Sequence, residues 1–290
     1  MKKSFLQFVN KNRYILILLI IGIVIRVLLN NIVYSKDGES FVFWGYYLKN
    51  NSITSLFVDL PGGFTPLPPV YYYVARILAF VDNFLNASQN IWVTYLIFKI
   101  PPVAVEIIVT LLIYKIVKKQ MSHNKAIISA SFYFLNPAII YNTAVFGQVD
   151  SFISGLSFVA VLLIAYNKYL FGLAVYCLAF LSKLQALAVL PVVVALSIKK
   201  IPVQKAILFS LVLTTLCFLP FIVMIHDKGF IWLATYFKEL PNWYPYTSIY
   251  TYNLWAPTGF IVRDSEKLLN IIPYRYLGQF LYWTIAAAVI

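Results

Sequence analysis

"YNTAVFGQVDSFISG", Tyr141–Gly155, places Gln148 and Asp150 between two long apolar runs. The run before it predicts a membrane span over about 125–146, and the run after it a span over about 152–167. A polar pair between two such runs reads as the tip of a helical hairpin that emerges from a membrane. Apolar runs of about 17–22 residues are what a hydrocarbon core roughly 30 Å thick requires of a helix.

The same pattern recurs outward from this hairpin. Spans at roughly 14–33, 100–117, 170–183, 184–198, 206–225 and 276–290 complete a set of about eight. The expected fold class is therefore an all-α, polytopic membrane protein. Of 290 residues, 61% are hydrophobic, 18% aromatic and only 11% charged, whereas soluble domains carry about a quarter charged residues. The short alternating segments of a β-barrel are missing. Cys177 and Cys217 both fall inside spans, which argues against a disulfide. No HExxH, CxxC, P-loop or GxGxxG pattern supports metal-dependent hydrolysis or nucleotide binding. The absence of convincing internal repeats weakens an inverted-repeat transporter.

A net charge of +13 would point to nucleic acid in a soluble protein. Here the excess of Lys and Arg on inner loops accounts for it. With the N-terminus in the cytoplasm, the inner segments hold Lys2, Lys3, Lys11, Arg13, Lys115, Lys118, Lys119, Lys125, Lys168, Lys199, Lys200 and Lys205, and no acid. The acids all lie outside or within a span. Acids contribute little to orientation, so their segregation asks for another cause, and an outward-facing active site supplies one.

The start, "MKKSFLQFVNKNRYILILLIIGIVIRVLL", has the basic flank and apolar run of a signal peptide. It lacks a small-residue cleavage site and contains Arg26, so it reads as a retained anchor. "LYWTIAAAVI" stops inside an apolar run, which predicts an N-terminal part of a longer protein. "FTPLPPVYYYVARILAF" is Pro-rich at its start and carries Arg76. Counting it as a span would put the basic "YKIVKKQMSHNK" outside, so it is expected to be an amphipathic or re-entrant outer-leaflet helix. Two long external loops follow, about Ser35–Lys99 and about His226–Arg275.

In "YSKDGESFVFWGYYLKN", Phe41, Trp44 and Leu48 follow Asp37 at helical spacing and predict an interfacial helix. Asp37 is then either an N-cap or a carboxylate that takes a proton from a hydroxyl. Asp150 has the same pair of readings: a cap for the next span, or, with Gln148, a hydrogen-bonding group that holds a ligand or braces the first loop. Lys99 and Glu106 are two turns apart and share a helix face. A charge at mid-membrane costs about 2.5–3.5 kcal/mol on insertion scales, so Glu106 must face protein or water, and an ion pair with another span is the structural reading. Lys183 and Gln185 end a short span on its outer side. Lys183 either snorkels to the interface or clamps a phosphate. In the last loop His226, Lys228, Arg263 and Lys267 are candidate phosphate ligands, with Arg263 first because guanidinium binds phosphate in a bidentate manner. Asn253 and Trp255 in "YNLW" either orient a ligand or anchor the loop at the interface.

Asp37-x-Glu39 with Trp44 seven residues after the aspartate resembles the first-loop motif of the dolichyl-phosphate-glucose glucosyltransferases, which extend the lipid-linked N-glycan precursor. More broadly it resembles bacterial GT-C glycosyltransferases that use polyprenyl-phosphate sugars. "TPLPPVYYYV", "KIPPVAVE", "NPAIIYNTAVFGQVDS", "LAFLSKLQALAVLP" and "YTSIYTYNLWAP" agree in order, so the resemblance spans most of residues 1–290. It implies a single GT-C transmembrane domain that acts as an inverting hexosyltransferase, mannosyl- or glucosyltransferase-like, with Asp37 as catalytic base. The expected loop roles are catalysis for 35–99 and donor binding for 226–275. Glu39, Trp44, Gln148, Asp150, Lys183, Gln185, Asn253, Trp255 and Arg263 are the expected substrate contacts. The expected partners are a polyprenyl-phosphate-linked sugar, a glycan, lipid or protein acceptor, and the bilayer, with no nucleic acid. Frequent Ile, Lys and Asn point to a bacterium, hence to its cytoplasmic membrane. One departure bears on cofactors. Relatives often have an acid just before the proline turn, where this chain has Thr65, so the sequence supports no divalent cation. The rival readings are a transporter or lipid-linked-sugar flippase, and a non-catalytic scaffold of the cell envelope.

Overall fold

A computed structural model describes residues 2–31, 36–58, 67–198, 200–224, 229–239, 242, 245–248, 254–259 and 261–289. The chain is mostly helical. It opens with α1 (Lys2–Leu28), then α2 (Lys36–Asn50), α3 (Ile53–Val58) and α4 (Pro69–Phe84). The region expected as one external loop thus holds three helices, and its expected end at Lys99 lies inside α5 (Ile91–Gln120). Asn90 starts α5 by accepting a hydrogen bond from the Trp92 amide at 3.1 Å, which satisfies one of the donors a helix start leaves open.

α5 and α6 (His123–Phe134) form a hairpin through the basic turn, with Ser122 capping α6. The span expected over 125–146 is broken. α6 stops at Phe134, Asn136 caps the one-turn α7 (Pro137–Ile140), and a π-helical turn covers Tyr141–Val145. The break follows from Asn136-Pro137: the proline lacks an N–H to continue α6 but fits the first position of a new helix. α8 (Asp150–Ala165) and α9 (Tyr169–Phe180) form the next hairpin. A 3-10 turn (Leu184–Val189) leads into α10 (Leu190–Ser197), then α11 (Val203–Met224), α12 (Gly229–Glu239), a short hairpin of β1 (Lys267–Leu268) and β2 (Ile272–Pro273), and α13 (Tyr274–Val289).

Among the described residues two helices, Ile91–Gln120 and Val203–Val223, are long and apolar enough to cross a membrane, and eight such helices do not emerge. α8, α9 and the Leu184–Ser197 segment are apolar but short. Little of the apolar length of α11 is buried. Ile207, Leu208, Leu211, Leu216 and Val223 all face outward, the reverse of a core helix in water. Ile17, Ile20, Ile21, Val24 and Leu28 of α1 are likewise exposed. These surfaces suit an apolar solvent.

The main core lies among α2, α4, α8, α9 and α11. Phe41, Trp44 and Leu48, expected to dip into the lipid interface, are instead buried against α4, at 7%, 5% and 0% exposure. Trp44 meets Tyr72 edge-on at 5.1 Å, and Phe41 meets Tyr71 at 5.2 Å. α4 is pinned at its start: the Val70 amide donates to Leu181 O at 3.0 Å, and Tyr236 donates to Leu67 O at 2.7 Å. α8 lies close on α5 because Gly155 has no Cβ. One placed there would stand 2.3 Å from Val105 Cγ1.

Candidate active site

The stretch at 141–155 folds so as to push its tip against the first turn of α2. After the π turn, the Phe146 amide donates to Tyr141 O at 2.7 Å and the Gln148 amide to Asn142 O at 2.9 Å. Gly147 takes φ +71° between them, a left-handed conformation that costs side-chain-bearing residues about 1–2 kcal/mol. A Cβ on Gly147 would lie 3.2 Å from Gly38 Cα. Backbone therefore rests on backbone, and the side chains flanking each glycine are brought face to face.

Asp37 and Gln148 are those side chains. The Gln148 amide donates to Asp37 Oδ2. Lys183, just past α9, donates to Asp150 Oδ1 at 2.6 Å and reaches Gln148 Oε1 at 3.4 Å. Asn142 donates to the other oxygen, Asp150 Oδ2, at 3.2 Å. Three segments distant in sequence thus assemble one polar cluster: Asp37 from α2, Asn142, Gln148 and Asp150 from the hairpin tip, and Lys183 from the end of α9. Burial, the largest cause, raises the pKa of Asp37, and the Asp150 charge raises it further, while Lys183 and the Gln148 hydrogen bond pull it down.

Asp37 sits in the first turn of α2, where a negative charge is favourable. The capping reading does not describe Asp150. α8 begins at Asp150, and the residue at its cap position, Val149, provides no side-chain cap.

Below the tip, a second polar group is sealed from solvent. Arg26 of α1, 4% exposed, pairs with Glu106 of α5, 0% exposed, at 2.8 Å. Arg26 also donates to Gly22 O and to Phe134 O, each at 2.9 Å, and lies over the Phe134 ring at 4.2 Å. Thr143 of the π turn donates to the other Glu106 oxygen and is 3.2 Å from Ser151 Oγ. Lys99 does not pair with Glu106. It donates to Ala144 O at 2.7 Å, at the end of the same turn. π turns leave carbonyls and spacing out of register with the α-helix, and here Glu106 and Lys99 hold both the side chain and the backbone of that turn.

Other expected contacts lie elsewhere. Trp44 is in the aromatic core described above. Glu39 is exposed on the first turn of α2, and Gln185 is exposed two residues past Lys183. Trp255 stands edge-on to Tyr274 of α13 at 5.5 Å. Arg263 is exposed, bridged by its backbone to Tyr246, and its amide donates to Glu266 at 3.4 Å. The ion pair of this segment belongs to Arg275 and Asp264, 2.8 Å apart. Asn253, His226, Lys228 and Thr65 lie outside the described residues. Asn142 was missed from the sequence, although its place within the quoted hairpin stretch was a signal. Its Oδ1 is buried and receives no hydrogen bond among the described residues.

A cavity of about 430 Å³ opens between α9, α10 and α11, with Tyr176, Cys177, Phe180, Leu187, Val193 and Ile207 among its lining residues. It shares α9 and the 3-10 turn with the segment that carries Lys183. Among the described residues, no group of three or more His, Cys, Asp or Glu comes together to hold a metal ion. Compared with known protein families, curated proteins and solved structures, the chain matches none.

Proposed function

We propose that this chain is a multi-pass, GT-C type glycosyltransferase of a bacterial cytoplasmic membrane. It takes a monosaccharide from a polyprenyl-phosphate carrier and places it, with inversion, on an acceptor hydroxyl at the outer surface. The observation that carries the reading is the half-buried Asp37 carboxylate, held by Gln148 and backed by Lys183 and Asp150. A general base works best when its pKa approaches the working pH, and burial moves Asp37 in that direction.

In the reaction the acceptor oxygen attacks the anomeric carbon from the face opposite the phosphate. Its proton passes to Asp37, the bond from the anomeric carbon to the phosphate oxygen breaks, and that oxygen keeps the electron pair. A cation near the departing phosphate stabilises the charge gained there, and Lys183 is the cation of the cluster. Gln148 fixes the orientation of the Asp37 carboxylate. Asn142 Oδ1, a buried acceptor costing about 1–3 kcal/mol while unsatisfied, offers a place for a sugar hydroxyl. The apolar cavity among α9, α10 and α11, whose lining includes Phe180 and Leu187 on either side of Lys183 in the chain, supports a ligand with a hydrocarbon tail.

The test is transfer from radiolabelled polyprenyl-phosphate sugars by protein in vesicles, comparing the unaltered chain with Asp37→Asn. The variant is expected to insert normally and to lose transfer. An active variant removes Asp37 as base, and labelling of residue 37 from the cytoplasmic side removes the whole reading. Movement of lipid-linked sugar across the vesicle wall without transfer would establish the flippase instead. Arg26 and Glu106 are charges of the kind transporters keep inside a membrane, but they are closed off from any path.

A further inference from the structure

A groove of about 280 Å³ runs along the packed faces of α5 and α8, away from the candidate site. Its walls are Leu112, Ile116, Val159, Leu162 and Leu163, and Lys115, Lys119 and Tyr166 complete its lining. Lys115 follows Lys99 by sixteen residues, so it stands about 24 Å further along α5. The groove therefore lies toward the opposite end of the molecule from the Asp37 cluster. Lys115 and Lys119 are four residues apart, neighbours on one helix face. Both are exposed, and neither has a hydrogen bond or ion pair among the described residues. Lys118, between them, is engaged differently: it donates to the Tyr114 hydroxyl at 2.7 Å. No acid occurs between Glu106 and Asp150 to neutralise this end.

Lysines near a helix C-terminus offset its dipole and satisfy the inner-loop charge bias. Neither effect calls for an apolar channel between two helices with two unpaired ammonium groups among its lining residues. That combination matches one ligand chemistry: a hydrocarbon chain joined to a phosphate.

We propose that the groove between α5 and α8 binds an anionic phospholipid of the inner leaflet. One acyl chain lies against Leu112, Ile116, Val159, Leu162 and Leu163, and the headgroup phosphate sits between Lys115 and Lys119, beside Tyr166. The occupant binds as a structural lipid, so the site is independent of the transferase reading and depends on α5 lying in a bilayer with its basic end at the inner face.

The experiment places the full chain in lipid nanodiscs with photoreactive phosphatidylglycerol or photoreactive phosphatidylcholine, each with its reactive group in the acyl chain. Adducts are mapped by mass spectrometry. Phosphatidylglycerol is expected to label the 112–119 and 159–166 segments well above phosphatidylcholine. A lysine near a membrane surface adds about 1 kcal/mol of attraction to anionic lipid, so Lys115→Gln with Lys119→Gln should lower the labelling about 30-fold. Lys118→Gln, which removes one charge from the same helix end but none from the groove lining, should leave it unchanged. Equal labelling by the two lipids overturns the proposal. So does an equal loss in Lys118→Gln, which would mean a diffuse surface potential, and so does displacement by polyprenyl phosphate, which would assign the groove to another lipid. Flotation of the variants with liposomes reports insertion separately.

Discussion

Removing one partner from the Arg26–Glu106 pair should destabilise the fold unequally, and the inequality can be worked from the contacts. Glu106→Gln keeps the shape and the Thr143 hydrogen bond but leaves the Arg26 guanidinium without its counter-charge in a sealed site. Arg cannot release its proton, and an uncompensated buried charge costs about 3–5 kcal/mol. Two backbone carbonyls, Gly22 O and Phe134 O, still accept from it, which places the expected loss near the lower end of that range. Arg26→Met leaves Glu106 instead, and a carboxylate can take up a proton rather than stay charged. Its expected cost is smaller, about 1–3 kcal/mol. The double variant buries no charge and should lie within about 2 kcal/mol of the starting protein, giving a coupling energy of at least about 2 kcal/mol in a double-mutant cycle. The assay is unfolding of the detergent-solubilised chain by SDS titration, followed by circular dichroism. Additive single costs, or a Glu106→Gln cost below that of Arg26→Met, would refute the reasoning.

The candidate site makes its own predictions. An acid whose pKa is raised keeps its proton to higher pH, so transfer that needs ionised Asp37 should rise through a midpoint above the ordinary 3.8. Gln148→Leu removes an influence that lowers this midpoint and should move it up. Asp150→Asn removes one that raises it and should move it down, and pH–rate profiles of the two variants check the opposite signs. Gly147→Ala should cost about 1–2 kcal/mol from its left-handed backbone alone, with a further loss from the approach to Gly38, read as a lowered melting temperature together with lost transfer. Trp44→Ala should cost about 3–5 kcal/mol, as truncation of a buried aromatic does, whereas Trp44→Phe should retain most of both stability and transfer. A stable but inactive Trp44→Phe would return Trp44 to the substrate.

Local chemistry made much of this protein legible in its sequence. Helix positions followed from the apolar runs, because backbone hydrogen bonds and side-chain burial act over neighbouring residues. The polar residues worth asking about stood out for the same reason: in a chain this apolar, Asp37, Gln148, Asp150 and Lys183 are conspicuous. Partners were not legible. Glu106 plainly needed a counter-charge, and Arg26 stands inside an apolar run, but it is 80 residues away and nothing local says that the two helices meet. Trp44 at its helical spacing fits a lipid interface and an aromatic core equally well, and only the position of α4 decides between them. The break at Asn136-Pro137 could be seen in the residues, but the π turn that follows is held by contacts from α1, α5 and α8 together.

The sequence by itself determined a helical, membrane-suited chain and the short set of polar groups it could use. Its periodicity and composition act residue by residue and survive any arrangement of the helices. Only the tertiary structure decided that Gly38 meets Gly147, that Gln148 therefore reaches Asp37, and that Lys183 turns to Asp150. These contacts join segments far apart along the chain, and their geometry exists only once the helices have packed.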